Sequence, residues 1–397
     1  MKGITGGQPD RSPSLAFVIT SLDYGGAERQ LVALGAGFRR RGWEVDVVTL
    51  IEPRALQNEL KDVGIGIHSL GMRRGVPDTR AIARLAGHLK RLAPSVVHSH
   101  MVHANLLTRV ARLLAPVPFL VSTAHSIIEG GRLLELGYRL TDPLCDLTTN
   151  VSPTGVERYE QRGLAAKGRI RYMPNGIDLA SFKRRETLRA PLRESLGIPN
   201  GFVWLAVGRF DPVKAYGAML SAFKEVAGGI STTLVIAGDG EQRSAMADLA
   251  ADLGVADRVR FLGIRSDVQS LMNAADGYLL SSVWEGLPMV LLEAASSSLP
   301  IVATDVGGVR EIVEHGVTGF VAPADDPGAL AAAMRTLMDL PAEARNAMGA
   351  AGRERTVARF DIERVLDAWE ELYEAGIAGA QGRPRRWRRV GREGAGS

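Results

Sequence analysis

The feature that most constrains the fold is a strand–loop–helix–strand pattern between residues 276 and 303. Asp276–Leu280 and Pro300–Ala303 are short apolar runs typical of buried strands. Between them, Gly286 and Pro288 indicate a loop that turns into a helix. A helix between two buried strands predicts an α/β sheet, in which ligands bind at the carboxyl ends of the strands.

Two glutamates of this segment are expected at that ligand-binding edge. Glu285 falls in the loop and Glu293 in the second turn of the helix. Carboxylates there can accept hydrogen bonds from both hydroxyls of a sugar diol. The start of the helix offers free N–H groups and partial positive charge, which suit a phosphate. The alternative is that both are ordinary surface glutamates, as most glutamates are.

The segment Glu285-Gly286-Leu287-Pro288, followed by Glu293, resembles the E-x7-E motif of the family 4 retaining glycosyltransferases, and residues 303–323 also read like that family. The resemblance covers about residues 15–375. It implies a GT-B fold, in which two Rossmann-like α/β domains face a central cleft and the last helix crosses back to the first domain. It also implies that Glu285 positions the donor sugar, that Glu293 holds the ribose and that residues 286–288 contact the donor.

The resemblance and a charged, helix-breaking run after residue 180 predict the domain organisation. We expect an acceptor-side domain at 1–180, a linker at 181–199, a nucleotide-sugar-binding domain at 200–358, a crossover helix at 359–378 and a basic, disordered tail at 379–397.

Histidines cluster at two predicted strand ends of the first domain. His98 and His100 would share one face of a strand, and His103 would follow in a helix. An H-x-H pair at a strand end can ligate a metal, but no partner set of Asp, Glu or Cys is recognisable at matching strand ends. We therefore expect some of these histidines to line the cleft, with His100 and His103 as acceptor-side candidates, and another to be structural. His125 follows the next strand, and the resemblance implies that it lies under the transferred sugar.

A glycine pair and a basic loop are the candidate diphosphate contacts. Gly25 and Gly26 begin a predicted helix, where a backbone can approach a ligand closely. Arg209 and Lys214 follow a predicted strand, and such cations suit a diphosphate, although a solvated basic loop would look the same. The family resemblance implies that both loops face the donor, with Ala215 replacing a glycine of the family pattern. It also implies that the main chain around Gly263 and Ile264 holds the base.

The charge of the chain is concentrated at its carboxyl end. From Arg383 onward, six arginines and Glu393 give +5, so the rest carries −1 of the total +4. This predicts no nucleic-acid-binding body, but six arginines beside Trp387 could dock reversibly on an anionic membrane. The polar amino terminus, the single Cys145 and the lack of a long apolar run favour a cytoplasmic protein.

The sequence thus predicts a retaining glycosyltransferase that moves a sugar from a nucleotide-sugar, such as a UDP-sugar, to a hydroxyl acceptor. The family resemblance favours synthesis of bacterial surface polysaccharide or lipid-linked glycan. No D-x-D motif occurs, and neither a metal nor another cofactor is expected. Three alternatives stay open: a GT-B sugar-nucleotide epimerase, a metal-dependent hydrolase that uses His98 and His100, and a non-catalytic sugar-nucleotide binding module.

Overall fold

The computed structural model describes residues 12–128, 130–198, 200–228 and 231–381. The chain forms two compact units. Unit 1 contains the chain up to Asn150, Val156–Tyr172 and the chain from Val365 onward, and unit 2 contains Val151–Gly155 and Met173–Arg364. Within the described ranges, no helix is both long and apolar enough to cross a membrane. The arginine-rich tail from Arg383 lies outside these ranges.

Unit 1 is an α/β fold on one parallel sheet. Its strands are β1 (Ser14–Ile19), β2 (Glu44–Thr49), β3 (Gly66–Ser69), β4 (Val96–His100), β5 (Phe119–Ala124), β6 (Leu147–Asn150) and β7 (Ile170–Tyr172). The intervening helices are α1 (Gly26–Arg40), α2 (Gln57–Asp62), α3 (Arg80–Leu92), α4 (Val102–Ala111), α5 (Arg132–Thr141) and α6 (Pro153–Gln161). The strand order β3-β2-β1-β4-β5-β6-β7 changes direction between β1 and β4. The apolar residues of β1 are buried, as expected for a parallel sheet covered by helices.

Unit 2 repeats this plan. Its strands are β8 (Phe202–Val207), β9 (Thr232–Ala237), β10 (Val259–Gly263), β11 (Gly277–Leu280), β12 (Ile301–Thr304) and β13 (Gly319–Ala322). Its helices are α7 (Arg189–Ser195), α8 (Tyr216–Ala227), α9 (Arg243–Asp252), α10 (Val268–Ala274), α11 (Met289–Ser296), α12 (Val309–Ile312), α13 (Pro327–Asp339) and α14 (Ala342–Phe360). The parallel order β10-β9-β8-β11-β12-β13 changes direction between β8 and β11. The strand–loop–helix–strand prediction for residues 276–303 is confirmed as β11, α11 and β12.

The last helix, α15 (Ile362–Gln381), returns to unit 1, as predicted. Its Trp369 and Tyr373 are buried, and the Tyr373 ring lies 5.3 Å from that of Phe38 between ring centroids. Glu370 accepts a hydrogen bond of 2.9 Å from the indole N–H of Trp43. Its other oxygen lies 2.7 Å from the guanidinium of Arg41. Aromatic packing and a charged clamp therefore make this helix part of the core of unit 1.

The predicted linker at 181–199 differs from the structure, because this segment belongs to unit 2 and contains α7. Two arginines of the charged run, Arg189 and Arg193, both pair with Asp276 just before β11. The charged residues that favoured an exposed linker therefore form ion pairs that hold this segment against the sheet of unit 2. Unit 1 also ends at Tyr172 rather than at residue 180 before the chain enters unit 2.

Candidate active site

The predicted site residues of unit 2 meet where its strand order changes direction. β8 and β11 are neighbours there, and their helices lie on opposite faces, so the loops after the two strands border a crevice. The loop after β8 carries Arg209 and Lys214, and the loop after β11 carries Glu285. Two segments that are 71 positions apart in sequence are thereby brought into contact.

An ion pair between Lys214 and Glu285 is the centre of this site. The Lys214 ammonium lies 2.6 Å from Oε1 of Glu285, and the side chains are only 20% and 14% exposed. The Ser282 hydroxyl donates a second bond of 2.7 Å to the same oxygen. Glu285 is thus held as a hydrogen-bonded carboxylate. The ammonium of Lys214 has three donors, so it can hold Glu285 and still reach an anionic ligand.

The basic loop around Lys214 is fixed from two sides. The Ser281 hydroxyl donates to the Lys214 carbonyl at 2.7 Å. The Tyr216 hydroxyl donates to the Gly208 carbonyl at 3.0 Å, and burial raises the pKa of Tyr216, which keeps it a neutral donor. Ala215 has φ +46°, the left-handed region that favours glycine. The loop therefore keeps a glycine-like backbone although this chain carries alanine.

Arg209 is the exposed cation of the site. Its side chain is 76% exposed and lies 3.3 Å from the Asp211 carboxylate. A surface pair of this kind is weak, so the guanidinium can turn to a ligand at little cost. Lys214 is held in place before any ligand arrives, whereas Arg209 is able to adapt.

Glycines let neighbouring loops pack against the site backbone. A Cβ on Gly307 would lie 1.9 Å from the Glu285 carbonyl oxygen, and one on Gly308 would lie 2.5 Å from that of Gly286. The Gly308 N–H donates to the Gly286 carbonyl at 2.7 Å. On the other side, a Cβ on Gly238 would lie 1.9 Å from the carbonyl oxygen of Gly208. Any side chain at these glycines would displace a site loop.

The start of α11 follows the Glu285 loop directly. Pro288 occupies the N-cap position of the helix, which begins at Met289, and Leu287 is buried. The Asn175 side chain donates to the Leu287 carbonyl at 3.3 Å and so braces this helix start. Glu293 lies in the second turn, as predicted, and is 7% exposed. A buried carboxylate and a helix amino end are thus provided by one short segment.

The predicted base-binding segment lies at the end of β10. Gly263 has φ +70°, and its carbonyl accepts a bond of 2.8 Å from the Gly238 N–H. Ile264 is 63% exposed. An exposed apolar side chain therefore lies next to a glycine with positive φ at this strand end.

The Gly25-Gly26 loop in unit 1 lies where β1 ends and α1 begins. The Glu28 carboxylate folds back over it, and a Cβ on Gly25 would lie 2.3 Å from Oε2 of Glu28. The Ser21 hydroxyl donates to the other oxygen at 3.3 Å. The negative charge of the buried Glu28 carboxylate therefore offsets part of the positive potential at the start of α1.

His98 holds the unit 1 core together. Its Nδ1 lies 2.6 Å from the Tyr373 hydroxyl, and its Nε2 lies 2.6 Å from the Thr123 hydroxyl. Its ring centroid is 4.5 Å from that of Trp369. Both ring nitrogens are engaged, so His98 is the structural histidine of the cluster and has no nitrogen left for a metal.

His100 and His125 form a pair at the ends of β4 and β5. Nδ1 of His100 lies 2.8 Å from Nε2 of His125. Burial lowers the pKa of His125 to about 4, and burial together with the neighbouring histidines lowers the pKa of His100. Both rings are therefore neutral near pH 7. His103 lies on α4 with an exposed side chain, and no described contact joins it to the other histidines.

Residues in the described ranges form no cluster of three or more His, Cys, Asp or Glu side chains that could hold a metal ion. Several functional contacts were not predicted from the sequence, namely those of Ser282, Tyr216, Asn175 and the Gly307-Gly308 pair. Only the last had a visible signal, since adjacent glycines often mark a close backbone approach. The others are hydroxyl and amide side chains whose partners are distant in sequence.

Two family models match the chain. Residues 24–181 match the model described as Glycosyltransferase Family 4, and residues 189–355 match the one described as Glycosyl transferases group 1. A D-inositol 3-phosphate glycosyltransferase of Saccharomonospora viridis is 33% identical over 312 residues, which are 72% of this chain and 71% of the relative. The UDP-Gal:alpha-D-GlcNAc-diphosphoundecaprenol alpha-1,3-galactosyltransferase of Escherichia coli is 28% identical, over 75% of this chain and 80% of the relative.

A solved structure shares the architecture. Anabaena Alr3699/HepE in complex with UDP and glucose superposes with a TM-score of 0.82, at 22% identity, over 91% of this chain and all of the other. At this identity the likeness establishes the GT-B fold.

Proposed function

Because the chain belongs to glycosyltransferase family 4, we propose that it transfers a sugar from a UDP-sugar to a hydroxyl of a lipid-linked or polysaccharide acceptor, with retention of anomeric configuration. The observation that carries this proposal is the Lys214–Glu285 ion pair beside the start of α11. It combines a cation for a diphosphate with an acceptor for sugar hydroxyls. The Escherichia coli relative uses a UDP-sugar and a diphosphoundecaprenol-linked acceptor.

The proposed chemistry rests on charge. Breaking the bond between the sugar anomeric carbon and the diphosphate oxygen leaves an oxocarbenium-like sugar and growing negative charge on the diphosphate. Lys214, Arg209 and the N–H groups at the start of α11 would stabilise that leaving group. These charges support a reaction that needs no metal.

In the second half of the step, the acceptor oxygen bonds to the anomeric carbon on the face that the diphosphate leaves. The acceptor proton passes to the departing phosphate oxygen. Glu285 accepts hydrogen bonds from Lys214 and Ser282, which lowers its nucleophilicity and favours a role in positioning the sugar. Glu293 would hold the ribose, Gly263 and Ile264 the base, and His125 would contact the transferred sugar.

The proposed location is the cytoplasmic face of a membrane, without a spanning segment. A lipid-linked acceptor requires the enzyme to work at that surface. The six arginines and Trp387 of the tail would add reversible attraction to anionic lipids. Co-sedimentation of the full chain with anionic vesicles, compared with a chain ending at Gly382, measures that contribution, and equal binding at low salt would remove the tail from the proposal.

The test of function is release of nucleoside diphosphate across a panel of sugar donors, with and without a chelator. We expect UDP release from a UDP-sugar that persists in the chelator and is strongly reduced in Lys214→Ala. The anomeric configuration of the product, read by NMR, tests retention. Release that depends on added metal would contradict the metal-free chemistry, and an inverted product would contradict same-face attack.

A further inference from the structure

Helix α5 carries an exposed leucine face, defined as Leu133, Leu136 and Leu140. These residues recur at i, i+3 and i+7, so they lie on one side of the helix. Their exposed fractions are 84%, 47% and 70%. A contiguous apolar face on a surface helix marks a binding surface rather than a chance exposure.

Helix α5 packs against the rest of unit 1 through other residues, so the exposure of its leucines does not result from a poorly packed helix. Tyr138 is buried and its ring lies 5.5 Å from that of Tyr159. Its hydroxyl accepts a bond of 2.8 Å from the Asn105 side chain. At Gly137, an added Cβ would lie 3.0 Å from Leu106 of α4. The packing fixes the rotation of α5 and with it the outward position of the leucines.

Arginines border the leucine face along one edge. Arg132 and Arg139 are seven positions apart and flank the leucines on the helix surface. Both are exposed, and neither is within salt-bridge distance of a carboxylate among the residues that the structure describes. The one acidic residue of α5, Glu135, lies 2.6 Å from Arg162 and is neutralised by it. The edge of the leucine face is therefore positively charged.

We infer that the leucine face of α5 docks on the anionic surface of a lipid bilayer. Leucines would enter the boundary between headgroups and acyl chains while the arginines meet lipid phosphates, the arrangement of an interfacial amphipathic helix. A second copy of this chain fits less well, since a two-fold contact of the same face would bring like charges together. The inference rests on the proposed lipid-linked acceptor and names the surface that reaches it.

The test is co-sedimentation of the full chain with phosphatidylglycerol-containing and neutral phosphatidylcholine vesicles. L133S/L140S should reduce partition to anionic vesicles at least tenfold, also in a chain ending at Gly382. In a chain ending at Gly382, which lacks the arginines of the tail, R132Q/R139Q should remove the preference for anionic over neutral vesicles. The matched control, V63S/V76S, removes two exposed apolar side chains elsewhere in unit 1 and should partition like the parent chain.

Donor binding by calorimetry separates this inference from the proposed function. L133S/L140S should bind UDP as the parent does, and its unit 1 should keep the parent's urea midpoint in pulse proteolysis, which shows that the substituted unit is folded. Unchanged vesicle partition in that variant would overturn the docking surface. So would a parent dimer that dissociates in the variant, because the face would then join two copies. Loss of UDP binding by the parent chain would defeat the proposed function and leave the vesicle result standing.

Discussion

At the direction change of unit 2 the side chains carry full charges, with Lys214 bound to Glu285 and Arg209 exposed beside them. Where the strand order of unit 1 changes direction, His100 and His125 are buried and hydrogen-bonded to each other. Burial lowers the pKa of both rings, so both are neutral near pH 7. The two sheets share one plan, so the fold does not decide this difference. It is set by which residues follow the strands. Under the proposed function, the charged side chains of unit 2 would bind the diphosphate and the neutral histidines of unit 1 would contact sugar hydroxyls.

The largest effect is expected when the charge of unit 2 is removed. Lys214→Ala takes away the cation and leaves Glu285 without its partner, so kcat should fall about 10²–10³-fold, the loss for one transition-state donor. Steady-state UDP release measures this. Arg355→Ala is the matched control, because it breaks another cation–carboxylate pair of unit 2, with Glu314 at 3.0 Å. An equal loss in both variants would mean that ion pairs in general, and not this one, support activity.

The second-largest effect is expected on UDP affinity, which should depend on a site residue of unit 2 and not on one of unit 1. Glu293→Ala should weaken UDP binding by roughly 1.5–3 kcal/mol, the range for a hydrogen bond to a charged group. His125→Ala should leave UDP affinity nearly unchanged, since its proposed contact is with the sugar. Calorimetric titration with UDP measures both. If His125→Ala weakens UDP binding as much as Glu293→Ala, the division of roles between the units fails.

As the pH is lowered from 7 to 5, unit 1 should lose more stability than unit 2. The pKa of His125 is lowered from 6.5 to about 4 in the folded state. As pH falls below 6.5, His125 therefore binds a proton in the unfolded chain but not in the folded chain. The free energy of unfolding falls as a result until about pH 4. By pH 5 this single histidine should cost unit 1 on the order of 1–2 kcal/mol. Unit 2 contains one histidine, His315.

Pulse proteolysis in urea measures this difference when the fragments are assigned to each unit by mass spectrometry. The urea midpoint of unit 1 should fall from pH 7 to pH 5 by more than that of unit 2. Equal shifts of both midpoints would contradict the assignment of acid sensitivity to the buried histidines.

The smallest effect comes from two alanines in the left-handed region, one in each unit. Ala215 and Ala93 both have φ +46°. Replacing either by glycine should stabilise its own unit by about 0.5–1 kcal/mol, because relief of strain exceeds the added freedom of the unfolded chain. Urea unfolding measures both gains. Ala93→Gly should leave kcat unchanged, whereas a change in kcat for Ala215→Gly would show that the loop backbone itself tunes the Lys214 site.

Local sequence patterns predicted the strands, the last helix and the positions of Glu285 and Glu293, because these depend on neighbouring residues. The Lys214–Glu285 contact was not predicted, since the sequence does not show that β8 and β11 are neighbours. The structural role of His98 depends on Tyr373, which is 275 positions away. The linker prediction was wrong for a similar reason. Arg189 and Arg193 of the charged run pair with Asp276, which is more than 80 positions later in the sequence.

The return of α15 to unit 1 has a consequence for how the protein is made. The first part of unit 1 leaves the ribosome early, but Trp369 and Tyr373 follow only after residues 173–364 have been translated. At about 5–20 residues per second, those residues take roughly 10–40 s. Throughout that interval, His98, Phe38 and Trp43 lack the helix that covers them, and the sequence of unit 2 is complete before that helix is synthesised. Nascent unit 1 is therefore the part of the chain most in need of chaperone protection, and it matures last although it is synthesised first.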